Sequence, residues 1–86
     1  MLHADLGASL YKTWSSAQQR DEIAKLVEGY RAGLPVNILC RMTEAIAGSR
    51  KRARKILHEL MTPEERQEAA GRESGEVQAF VLEYLR

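Results

Sequence analysis

Five cations fall within six consecutive residues of this chain, Arg50, Lys51, Arg52, Arg54 and Lys55, directly after Gly48-Ser49. A helix that starts with free amides, a serine cap and several guanidinium and ammonium groups is equipped to hold an anion. The first-turn cations Arg50 and Lys51 oppose the helix dipole, so stability alone would favour acids there. A partner that repays this arrangement is polyanionic, and a nucleic-acid backbone is the commonest such partner. The expected contacts are Ser49, Arg50, Lys51, Arg54 and Lys55, with Arg52 and His58 at the edge or further along the helix.

The charge distribution sharpens this expectation. The chain has 86 residues and a net charge of +1. Residues 1–40 are neutral overall, residues 41–58 carry +5 and residues 59–86 carry −4. A basic middle beside an acidic tail is a statement about partners rather than about fold. The bland alternative is a solvated amphipathic face, but such faces usually mix signs, and here five cations precede the first acid of the helix, Glu59.

The remaining inventory is mostly exclusions. Two histidines, His3 and His58, and the single Cys40 have no CxxC or HExxH spacing, so neither a metal nor another cofactor is expected. No glycine-rich phosphate loop occurs, and Cys40 sits on an apolar helical stripe where a buried, inert thiol is the natural reading. Glu64 and Glu65 read as first-turn dipole partners rather than catalytic acids. The expectation is therefore a binding protein, not an enzyme. With 44% hydrophobic and 29% charged residues the chain is globular in composition, and no apolar run approaches the roughly 20 residues that span a bilayer. The start Met1-Leu2-His3-Ala4-Asp5 lacks a secretory pattern, which together with the lone cysteine implies a cytoplasmic protein.

The elements that position these residues read as helices throughout, giving an all-α, single-domain bundle of five or six short helices. Leu6, Leu10 and Trp14 mark a first helix over residues 5–14. Ser16-Ala17-Gln18-Gln19 has the form of a capping box, in which Ser16 and Gln19 serve each other's amides. Ile23, Leu26, Val27 and Tyr30 form the inner stripe that follows, and Gly33 fits the left-handed stop. Pro35 suits the first turn of the next helix, with Val36, Leu39, Cys40, Thr43 and Ile46 inward. Gly48 ends it, and Ser49 caps a basic helix over residues 50–61 with Ala53, Ile56, Leu57 and Leu60 inside. Thr62-Pro63-Glu64-Glu65 starts a short helix ending near Gly71. Ser74 caps a last one, unless residues 63–85 form a single helix bent at Gly71 or Gly75.

The last segment carries Val77, Phe80, Val81, Tyr84 and Leu85, a broad stripe that either closes the core or serves as a dimer or partner interface. The second use defines the alternative function: a helical interaction module, that is an adaptor, inhibitor or small regulatory subunit, docking through this stripe or through its basic face on an acidic protein surface. Both functions combine if the stripe is a homodimer seam, since many small DNA binders are symmetric dimers.

Helix, glycine turn, then basic helix resembles the helix-turn-helix of DNA-binding regulators over about 30 residues. With the turn at Gly48, residues 35–47 are the supporting helix and residues 50–61 the recognition helix. The family's small and apolar positions then hold Glu44, Ser49 and Arg54. With the turn at Gly33, they hold Gly29, Leu34 and Leu39, Glu28 falls at an apolar position, and Arg41 is the basic contact on the second helix. The resemblance implies DNA more than RNA as ligand and a role in transcription regulation.

Overall fold

The computed structural model describes residues 13–86. Among these the chain forms five helices: α1 Ser16–Arg31, α2 Val36–Ala47, α3 Arg50–Leu60, α4 Pro63–Gly71 and α5 Gly75–Leu85. The all-α class is as expected, and no strand occurs among the described residues. The helix expected over residues 5–14 lies almost wholly outside them.

Helix boundaries follow local chemistry, with small corrections. The N-cap of α1 is Ser15, not Ser16: its hydroxyl accepts from the Gln18 amide at 3.1 Å, and its own amide donates to Gln18 Oε1 at 2.7 Å. Ser15-Gln18 and Ser16-Gln19 satisfy the same pattern one residue apart, so the motif alone left the register degenerate. At the other end Gly33 has φ 127°, and the amides of Gly33 and Leu34 bond the carbonyls of Tyr30 and Gly29. That pair of bonds is the Schellman arrangement, satisfying carbonyls the helix leaves open. Pro35 is the N-cap of α2 rather than its first residue.

Gly48 closes α2 at φ 89°, a left-handed conformation that other residues adopt only with strain. Ser49 then caps α3 by accepting from the Arg52 amide at 3.2 Å. Leu60 ends α3, with Met61 as its C-cap. Thr62 caps α4, accepting from the Glu65 amide at 3.0 Å, with Pro63 in the first turn. Residues 63–85 form two helices, separated after Gly71 and resumed at Gly75, where φ is 59°.

Packing places α2 and α3 at the centre: both contact α1 and α5, and α4 lies against α5. Arg41 meets Phe80 and Glu44 meets Tyr84, so α5 runs alongside α2 in the same direction. The core draws Ile23 and Val27 from α1, Leu39 and Cys40 from α2, Ala53 and Leu57 from α3, Ala69 from α4, and Val81 and Tyr84 from α5. Leu60, expected inside, is half-buried. Thr43 is fully buried, and its hydroxyl has no hydrogen-bond partner among the described residues.

Candidate polyanion-binding face

The inner stripe of α3 divides its cations into three sectors. Ala53, Ile56 and Leu57 face the core. At about 100° per residue, Arg50 and Arg54 then fall on the α5 side, Arg52 on the α1 side, and Lys51 and Lys55 between them, facing outward. The contacts follow this division.

On the α5 flank, Arg50 pairs with Glu83 and approaches Glu44 Oε1 at 3.5 Å, with its guanidinium 5.5 Å from the Tyr84 ring centre. Arg54 donates to the main-chain oxygens of Glu83, at 3.3 Å, and of Arg86. The Glu83 carbonyl lies in the last turn of α5, where carbonyls lack a helical partner, so a cation beside it also meets the negative end of the dipole. Arg66, arriving from α4, donates to the Leu85 carbonyl at 3.3 Å and lies 3.0 Å from His58 Nδ1. On the α1 flank, Arg52 donates to the Ala47 carbonyl at 3.1 Å and to Gln19 Oε1 at 2.9 Å, while Arg20 pairs with Glu59. Lys51 and Lys55 are exposed and, among the described residues, have no ion-pair partner.

Three expected contacts thus serve the fold as well. Arg50, Arg52 and Arg54 tie α3 to its neighbours, and Ser49 spends its hydroxyl on capping. Yet carboxylates neutralise only the margins of the face. Among the described residues, none of Lys51, Arg52, Arg54, Lys55 and Arg66 forms an ion pair. The fold also adds Arg20, paired with Glu59, and Arg66, beside His58, to the basic helix. Sequence reading missed these two because each reaches α3 from another helix, with no local pattern to announce it.

His58 is half-buried on this face, and burial, reinforced by Arg66 and Arg54, lowers its pKa from the ordinary imidazole value. The lone thiol is elsewhere: Cys40 is fully buried, and burial pushes its pKa up to about 12, far from a nucleophile's range. Among the described residues no group of three or more His, Cys, Asp or Glu side chains is placed to hold a metal ion.

The C-terminal stripe divides in two. Val81, Tyr84 and Leu85 are spent in the chain's own core, and the Tyr84 hydroxyl donates to Glu44. Burial and this acidic neighbour push the phenol up to about 12. Only Val77 and Phe80 keep outward surface. Phe80 stacks edge-on with Tyr84 at 5.1 Å and lies under the Arg41 guanidinium at 4.9 Å. No helix among the described residues is long and apolar enough to cross a membrane. No protein-family model, curated protein or solved structure matches the chain.

Proposed function

We propose that this protein is a non-enzymatic nucleic-acid binder that grips the phosphate backbone with the outward face of α3. The observation that carries the reading is the unneutralised cluster Lys51, Arg52, Arg54, Lys55 and Arg66, with only backbone and neutral partners among the described residues. Backbone carbonyls orient these arginines without cancelling their charge, so the potential above the face stays positive. Lys51 and Lys55, one turn apart and free to move, are the primary phosphate contacts, while Arg54 and Arg66 flank them. Duplex DNA is the preferred ligand, and regulation of transcription is the role such a binder serves.

The test is fluorescence anisotropy of a labelled mixed-sequence duplex at two salt concentrations, comparing wild type with Lys51→Ala/Lys55→Ala. Neither lysine supports the fold, so the variant isolates binding. Salt-sensitive binding whose log-log salt slope falls by about 1.8 in the double variant fits two lost phosphate contacts. A folded protein with no affinity at low salt rules the reading out.

A second reading, a protein-interaction module, retains Val77 from the stripe, 39% exposed, together with half-buried Phe80. Met42 at 41% and half-buried Ile38 supply apolar surface on the outer side of α2. Partner capture that responds to Val77→Ser and ignores Lys51→Ala would favour this module over the nucleic-acid binder.

A further inference from the structure

The hairpin of α4 and α5 holds a groove of about 360 Å³. Pro63, Ala70, Leu82 and Leu85 give it apolar walls. One end is crossed by Gln78, whose Nε2 donates to the Ala70 carbonyl at 3.1 Å. The other end, around Leu85, holds Arg66 and Arg86, and no acidic side chain lines the groove at all. In a chain segment that is acidic overall, a groove with purely cationic charge at one end is a selective feature. Arg66 contributes an incompletely satisfied guanidinium: its Nη1 is used by His58 and the Leu85 carbonyl, whereas Nε is buried with no partner among the described residues. Arg86 is exposed, and its side chain makes no hydrogen bond or ion pair among the described residues.

We infer that this groove binds a small amphipathic anion, an unbranched acyl chain ending in a carboxylate. Eight residues separate Gln78 from Arg86 along α5, about 12 Å at 1.5 Å per residue, roughly the length of a decanoyl chain. The alkyl part lies along Leu82, above the nearly covered Ala70 and Leu85, where its burial from water drives binding. The carboxylate lies at Arg66 and Arg86, the arrangement that charge-assisted hydrogen bonds favour. This site does not depend on the nucleic-acid reading, since its ligand differs and its walls lie between α4 and α5, although Arg66 borders both the groove and the α3 face.

The groove also offers a clean way to block it. A Cβ built on Gly71, which lines the groove, meets no atom within 4 Å, and its backbone is not left-handed. Gly71→Leu therefore sets a bulky side chain at the groove's edge without backbone strain.

The experiment titrates decanoate into the isotope-labelled full chain and follows amide NMR shifts, with decyltrimethylammonium as the oppositely charged control. Saturable shifts centred on Ala70, Leu82 and Leu85 are expected. Gly71→Leu should abolish them, Arg86→Gln should weaken affinity about three- to tenfold, and the ammonium should bind about tenfold more weakly or not at all. Absence of saturable shifts, equal affinity for both head groups, or unchanged binding in Gly71→Leu overturns the inference. Binding to anionic phospholipid vesicles without binding of free decanoate overturns it too, since the ligand would then be a surface. The Arg86 side chain makes no hydrogen bond or ion pair among the described residues, so that variant remains informative even if Gly71→Leu fails to fold.

Discussion

Glu83→Gln should tighten nucleic-acid binding, because Glu83 is the carboxylate that most directly competes with phosphate for Arg50. The variant has two effects. It removes a negative charge that would lie about 6 to 8 Å from a phosphate seated on Arg50, a repulsion on the order of RT in water, or two- to threefold in affinity. It also partly frees Arg50, although Glu44 remains 3.5 Å away. A full additional phosphate contact steepens the log-log salt slope by about 0.9, which across a fourfold salt change amounts to about 3.5-fold. Together these predict a three- to tenfold gain at low salt that shrinks as salt rises. The fold should tolerate the change, since Glu83 and Arg50 are about half-exposed and such pairs contribute little to stability. Anisotropy titrations at several salt concentrations supply the measurement, with Glu68→Gln as control. Glu68 pairs with Arg72 on α4, away from the face, so it changes net charge equally without freeing an α3 cation. If Glu83→Gln and Glu68→Gln behave alike, and the slope of Glu83→Gln matches wild type, Arg50 is a structural tether and not a phosphate contact.

Two further outcomes follow from buried and half-buried polar groups. Thr43→Val replaces an orphaned, fully buried hydroxyl with a methyl of similar shape, and should stabilise the protein by about 1 kcal/mol, or ~6 °C in Tm for a chain of this size. A calorimetric Tm that falls instead would mean the hydroxyl has a partner in solution. For His58 the folded pKa lies below the unfolded one, so between these values the unfolded chain holds more protons and stability rises with pH. Wild type should thus lose Tm on acidification from the ordinary imidazole pKa downward more than His58→Gln does, and parallel curves would refute the assignment.

What was legible in the sequence was local. Gly48-Ser49 and Thr62-Pro63 signal helix ends through bonds made within four residues, and those ends lie where expected. The inner stripes of α2 and α3 were legible too, because periodicity fixes which side of a helix is apolar. The C-terminal stripe was not separable in that way. Val77 and Val81 are a single turn apart on it, yet one is 39% exposed and the other 0%, a difference that periodicity alone does not carry. The fate of the cations was equally hidden, since Arg50, Arg52 and Arg54 find partners 32 or 33 residues away, at Glu83, Gln19 and Arg86.

That hidden division of labour has a chemical logic. Arginine's planar fork suits carbonyl and carboxylate oxygens at fixed angles, whereas lysine is a solvated point charge on a flexible stem. In α3 the three arginines occupy the flanks, where Glu83, Arg86, Ala47 and Gln19 offer oxygens. The two lysines occupy the outward strip, where nothing among the described residues restrains them. Had the helix been built only as a soluble surface, acids spaced one turn from these lysines would stabilise it through i,i+4 pairs. Glu59, one turn from Lys55, is already paired with Arg20, and the position four before Lys51 falls in α2, beyond the Gly48 break. On the proposed reading, Lys51 and Lys55 offer their charge to a polyanion outside the chain, and the flanking arginines add to it while holding the helix in place.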